Sequence, residues 1–212
     1  MRENTKKKKR EKILQSAEIL FVENGIEKTT MNDIAVKAEM GVATIFRHFP
    51  KKDMIVDEVA AEKLKILLSF MEELSKKEDI SYLEKITYLL DFFIFHSNKE
   101  SGALPKILDY IVNYIAVNNF SFEENRCYLN VRDQLFSLFF DMIDAGANDG
   151  TIRSDINARE VIPTIINNFT VFTFKLAVQS KTNIIEPELP AQHQLVTMKN
   201  VILNYLTANA AK

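Results

Sequence analysis

Apolar residues recur along the chain at spacings of three and four, the period of helices that bury one stripe. Strand-like alternation bounded by hairpin turns is absent from the sequence. Ile13, Ala17, Leu20 and Phe21 form the first stripe, on a helix expected from about Lys7 to Asn24, and Gly25 stands where a helix-ending glycine belongs. Thr30, followed three residues on by Asp33, reads as a capping box. It opens a short second helix whose Ile34, Ala35 and Ala38 face inward. Glu39 and Met40 make a brief turn. A third helix over about Val42–Phe49 stops at Pro50, because the residue before a proline avoids helical geometry.

Beyond Pro50 the predicted helices lengthen. They cover about Lys52–Ser75, Ser81–Asn98 and Leu104–Val117. Another opens on a Ser121–Glu124 capping box and closes at Gly146. Asn157 with Glu160 caps a helix to Ser180 that should kink at Pro163, and the last runs from Ala191 to about Thr207. The fold class expected is all-α with about nine helices. An N-terminal three-helix unit occupies residues 1–52, and a larger helical body occupies 53–212.

Three short helices, the last two joined by a tight turn, describe a helix-turn-helix, whose final helix enters the major groove of DNA. Ile45 and Phe49, four apart, are expected in the small core, with Ala43, Thr44, Arg47 and His48 on the opposite face. Thr44 suits a base edge or phosphate, Arg47 suits guanine, and His48 reaches phosphate or a base. Lys51 and Lys52 follow where a cation sits on the DNA backbone, and the Lys6–Lys9 cluster is expected to track an adjacent groove. The same residues also fit a packing unit whose charges are simply solvated.

The charge distribution bears on that choice. The whole chain carries a net charge of −2, which counts against a nucleic-acid partner. Met1 to Lys52, however, holds 12 Lys/Arg against 7 Asp/Glu, or +5, and the remainder carries −7. A basic quarter on an acidic body reads as an anion-binding module joined to something else.

The segment from Ile13 to Ile55 resembles the DNA-binding signature of the TetR/AcrR-type transcriptional regulators. The residues that carry the likeness are Ala17, Phe21, Gly25, Thr29, Thr30, Ile34, Ala35, Ala38, Thr44, Ile45, Phe46, His48, Phe49, Pro50 and Lys52. The resemblance implies a homodimeric, all-helical, one-component regulator. It implies that Thr30, Thr44, Phe46, Arg47, His48 and Lys52 fall at positions that touch DNA. The chain departs from the pattern at three places. Glu39 stands where the family mostly has glycine, Phe46 replaces a usual tyrosine, and Gly41 replaces a capping serine or threonine.

In the body, 12 of the 15 phenylalanines lie after residue 60. Core packing explains most of them. An apolar cavity with a few polar groups, the usual form of a small-molecule site, explains the rest, and the resemblance favours it. The candidate effector residues are Phe92, Phe95, His96, Asn113, Phe139, Asn167, Asn168 and Phe172, and a flat or long apolar effector fits them best. Leu195, Met198, Ile202 and Tyr205 on the last helix, with Phe169 and Leu176 on the one before it, are the candidate dimer stripe; an intramolecular core gives the same pattern. Two reading heads about one DNA turn (~34 Å) apart would read a palindrome.

The remaining features exclude other classes. Cys127 is the single cysteine, which suits a reducing cytosol, and in a helix it is expected to be buried and inert. Glu11, Lys12 and Glu18 interrupt the only apolar run near the N-terminus, so no secretory signal is read there. The longest uncharged stretch, Val161–Phe174, is 14 residues with Pro163, Asn167 and Asn168, too short for a bilayer. Cytoplasmic location and no membrane partner are expected. His48, His96 and His193 lack metal-ligand spacing, and no phosphate loop or nucleophile elbow appears, so neither enzyme, metal nor cofactor is expected. The leading reading is a repressor that binds a palindromic double-stranded DNA operator as a homodimer and is released by a small, largely apolar effector. The second is a small-molecule-binding or scaffold protein of the same fold that does not read DNA sequence.

Overall fold

The computed structural model describes residues 2–98, 103–118, 120, 126–146, 149–180 and 188–207. Nine helices and no strand are present among them: α1 (Arg2–Asn24), α2 (Met31–Lys37), α3 (Val42–His48), α4 (Lys52–Ser75), α5 (Tyr82–Asn98), α6 (Ala103–Val117), α7 (Cys127–Gly146), α8 (Ala158–Gln179) and α9 (Ala191–Leu206). The chain divides into two compact units, Met1–Ile66 with Ile107–Arg132, and Leu67–Lys106 with Asp133–Lys212.

The first unit is built on the α1 stripe. Ile13, Ala17 and Phe21 are fully buried with Ile34, Ile45 and Phe49. The same core takes in Ile55, Val56 and Val59 of α4 and Ile107 and Ile111 of α6, so it runs past residue 52. α1 begins at Arg2 rather than at about Lys7, so Lys6 joins Lys7 to Lys9 on the helix. Gly25 ends α1 at φ 84, a left-handed conformation that glycine adopts without a Cβ clash.

The second unit packs α5, α8 and α9 against one another, with the later part of α7 beside them. Leu90, Phe169, Leu195 and Leu206 lie at the centre of its core. Ser81 and Glu84 form a capping box at the start of α5: Glu84 N donates to Ser81 Oγ, and Ser81 N donates to Glu84 Oε2. Gly146 closes α7 against Tyr82, whose ring occupies the space a Cβ would need. At α8, Asn157 holds the N-cap position without a side-chain capping bond, so the box expected there does not form. The expected Ser121–Glu124 box lies outside the described residues.

α8 corrects the expectation that no segment is long enough for a bilayer. That expectation counted only the uncharged run; the helix continues through Pro163 to 22 residues and by length and composition alone is apolar enough to cross a membrane. One face of it, with Ile162, Ile166, Phe169, Thr173, Leu176 and Ala177 buried, belongs to the core of the second unit.

Candidate nucleic-acid interface

The recognition helix α3 follows a locked α2 and is held at its C-terminal end by a side chain from outside it, while its own N-cap, Gly41, makes no side-chain bond. Upstream, α2 is locked by the expected capping box: Asp33 N donates to Thr30 Oγ1 at 3.2 Å, and Thr30 N donates to Asp33 Oδ2 at 2.9 Å. Hydrogen bonds from Thr30, its hydroxyl first and then its amide, hold the Asp33 carboxyl below the usual aspartate range. The turn into α3 passes through Glu39 at φ 54, a left-handed conformation that costs a non-glycine residue free energy. Lys12 Nζ meets Glu39 Oε2 at 2.7 Å, so α1 steadies the strained position from outside.

Downstream, Arg10 of α1 caps α3. Its Nη1 donates to the His48 carbonyl at 3.0 Å, its Nε donates to Glu58 Oε2 at 2.9 Å, and its guanidinium lies 4.0 Å from the centre of the Phe49 ring. A cation at the last carbonyls of a helix also opposes the negative end of its dipole. Sequence reasoning did not separate Arg10 from the lysine run beside it.

This frame leaves part of α3 outward. Phe46 is 46% exposed, and Ala43 and Arg47 are also exposed, while Thr44 is half-buried. Thr30 and Lys51 are exposed. Two of the expected contacts fall elsewhere. His48 is 9% exposed, with Nδ1 buried and without a hydrogen-bond partner. The reading that set it opposite Ile45 mistook the period: residues three and four apart share a helix face, so His48 goes inward with Phe49. Burial first, then Arg47, Arg10, Lys6 and Lys9, holds its imidazole below the usual histidine value. Lys52 turns its ammonium into the unit, donating to the carbonyls of Ile26 at 3.0 Å and Thr29 at 3.2 Å, 5.4 Å from the Tyr114 ring. It pins the α1–α2 loop rather than presenting its charge outward.

α6 and α7 supply the back of the unit. Tyr114 Oη donates to Asp53 Oδ1 at 2.8 Å, and Asn118 Nδ2 donates both to Glu27 and to the Tyr114 carbonyl. Burial and then the Asp53 bond push the Tyr114 phenol up. Asp57, 1% exposed, accepts from the backbone N–H of Cys127 at 3.0 Å and of Tyr128 at 3.1 Å, so a carboxylate from α4 caps the start of α7. Burial raises Asp57, those two bonds oppose the rise, and burial raises the Cys127 thiol as well. The sequence signal for Asp57 was a charge set inside the apolar run Ile55, Val56, Val59, Ala60.

The effector candidates separate. In the second unit Phe139 is buried and Phe92 and Phe172 pack against the same core, with His96 at 4.3 Å from Phe92 between ring centres. Phe95 is 59% exposed, and Asn167 and Asn168 are exposed, the latter donating back to the Thr164 carbonyl. Asn113 belongs to the first unit, donating to Asp109 Oδ2 on the rim of a groove of about 330 Å³ lined by Gly25, Ile26, Tyr110, Tyr114 and Val117. Among the described residues no cluster of His, Cys, Asp and Glu could hold a metal. Of the dimer stripe, Phe169, Leu176, Leu195 and Ile202 are buried within the protomer, and Met198 and Tyr205 are exposed.

Residues 13–59 match the model of the bacterial regulatory proteins of the tetR family. The chain is 28% identical over 159 residues, 70% of each chain, to the HTH-type transcriptional repressor KstR2 of Rhodococcus jostii. Its fold is similar to that of a transcriptional regulator from Saccharomonospora viridis in complex with choline, with TM-score 0.70 and 19% identity over 94% of this chain and 98% of that one. It is also similar to that of the ketosteroid transcriptional regulator KstR2 of Mycobacterium tuberculosis, with TM-score 0.62 and 19% identity over 94% and 95%. An outward-facing α3 capped by Arg10 lies inside the segment that matches the tetR-family model, so residues 13–59 carry a helix-turn-helix of that type, and the likeness to transcriptional regulators continues through the body.

Proposed function

We propose that the chain is a ligand-responsive repressor whose residues 1–52 read a palindromic operator and whose residues 53–212 bind an effector and join two copies. The observation that carries the DNA reading is the outward face of α3, where Ala43, Phe46 and Arg47 stand exposed on a helix that follows the capped α2 and is held at its C-terminal end by Arg10. Arg47 takes guanine, Phe46 and Ala43 take apolar base edges, and Thr30, Thr44 and Lys51 take the backbone. His48 and Lys52 serve by positioning α3 and the α1–α2 loop.

The second copy is supported by an apolar face turned away from the core. Val171 and Val178 of α8 and Val196, Met198, Val201 and Tyr205 of α9 are exposed, against the buried stripe opposite. The effector reading rests on the half-buried Phe92, His96 and Phe172, and on relatives whose names include a ketosteroid regulator and a regulator in complex with choline. An apolar effector then shifts the population toward a state that does not hold DNA. The protein acts where the chromosome lies, in the cytoplasm.

A gel shift on the DNA flanking the protein's own gene, repeated with a panel of apolar compounds, tests the proposal. A specific shift abolished by one compound is expected. A protein that binds a compound yet prefers no duplex sequence would instead be a ligand-binding member that does not read DNA.

A further inference from the structure

The first turns of α1 are unlike any other helical segment of the first unit. Residues 2–12 contain no apolar side chain, and the first core residue is Ile13. About 16 Å of helix, at 1.5 Å per residue, therefore carries no stripe to bury. Lys6, Lys7, Lys8 and Lys9 are all exposed, and at 100° per residue they ring the helix on every side. None of them takes part in an ion pair described for the chain.

Local electrostatics opposes such a helix. Lys6 stands three and four residues from Lys9 and Arg10, spacings at which like charges repel. Cations near a helix N-terminus also face the positive end of its dipole. Glu3 and Glu11 stand four residues to either side of Lys7, but they leave the Lys6–Lys9 turns with a net positive charge and no apolar stripe, the kind of conflict between local preference and fold that marks functional positions.

The place of the segment says what these cationic turns meet. Arg10, the next residue, is bonded to the His48 carbonyl and stacked on Phe49, so the lysines continue directly from the downstream end of α3. Lys6, Lys9 and Arg47 all act electrostatically on His48. The bond from Arg10 to the His48 carbonyl thus places the lysine turns beside the end of α3 that carries the exposed Arg47. We propose that the lysine-ringed first turns of α1 clamp the phosphodiester backbone of duplex DNA flanking the bases that α3 meets, as a rigid helical extension of the interface. The lysine ring adds affinity without sequence preference, because phosphates carry no base information. The inference rests on the DNA-binding reading given above.

The test uses the full-length protein with Lys6, Lys7, Lys8 and Lys9 all replaced by glutamine, a second protein with all four replaced by arginine, and circular dichroism as the check on folding. Anisotropy is read on duplexes selected by the wild type from a random library, each at full length and trimmed to the half-sites, and on a long random-sequence duplex. Each phosphate that the lysines no longer neutralise lowers the salt slope by about 0.9, so two to four such phosphates weaken the glutamine protein's salt dependence by roughly 12- to 150-fold between about 50 and 200 mM salt. The arginine protein should keep the wild-type slope, the trimmed duplex should erase the difference, and sequence ranking should not change. An unchanged slope in the glutamine protein overturns the clamp. So does a loss confined to phosphatidylserine vesicles, which would make the ring a membrane contact. If the wild type selects no sequence, the repressor reading fails while the random duplex still decides the clamp: a lower slope in the glutamine protein supports it, and an equal slope sinks it.

Discussion

The two units of this chain are both all-helical, yet different forces specify them. In the first, buried or half-buried polar groups decide where helices sit: Arg10 at the end of α3, Lys52 on the α1–α2 loop, Tyr114 on Asp53 and Asp57 on the start of α7. In the second, the centre is apolar apart from Thr173, and the ion pair Arg159–Asp144 is more than half exposed on both sides. Exposed pairs of that kind contribute little to stability. A reading head must hold side chains to within fractions of an ångström, and directional bonds do that. The apolar effector proposed for the body is matched by non-directional packing.

The largest effect expected from this contrast lies in the second unit. Phe169 is 1% exposed at the centre of its core, so Phe169→Ala should cost about 3–5 kcal/mol by chemical denaturation. Asp144→Ala in the same unit should cost under about 1 kcal/mol. Similar losses from the two would show that polar contacts specify the body as well.

The matching test in the first unit is Asp57→Ala. It leaves the Cys127 and Tyr128 amides without their acceptor and should cost about 2 kcal/mol, an effect of packing magnitude from a single polar group. A destabilisation too small to measure would remove the distinction drawn between the units. The sign with pH is fixed: burial raises the Asp57 carboxyl, so the folded state holds its proton longer than the unfolded chain does. Its contribution to stability therefore falls as pH rises from the ordinary aspartate value, and the slope should flatten in Asp57→Ala.

Much of the head was legible in the sequence because local rules decided it. Gly25, the Thr30–Asp33 box and Pro50 punctuate helices by their own chemistry, wherever the rest of the chain lies. What was missed depended on tertiary geometry. Nothing in a run of six cations from Lys6 to Lys12 singles out Arg10 as the one that reaches Glu58 and α3. The inward turn of His48 was available from the helical period and was misread. In the body, the Leu195–Ile202 stripe was ambiguous on physical grounds, since a core and an interface bury the same residues at the same spacing. Only the fold tells that Phe169 and Leu195 face inward while Val171 and Val201 face out.

A smaller effect separates reading DNA from holding the head together. Arg47 is exposed and its side chain supports no described contact that fixes the fold, so Arg47→Ala should leave the melting temperature in place. On DNA it should relax base discrimination by about 1–3 kcal/mol at one position of each half-site, with little change on random duplex. Equal weakening on selected and random duplexes would make Arg47 a phosphate contact, and the precision argued for α3 would lose its purpose.

The smallest effect concerns Glu39. At φ 54 its Cβ crowds the backbone, a strain that glycine does not feel. Two terms oppose the relief: glycine loses more backbone freedom on folding, and the Lys12 contact, exposed on both sides, disappears. The balance should favour Glu39→Gly by a rise of about 2 °C in Tm. Lys12→Ala in the same scan should change Tm less than Glu39→Gly does. If Glu39→Gly instead lowers Tm, the Lys12 tether outweighs the backbone strain, and polar anchoring in the head extends even to contacts at its surface.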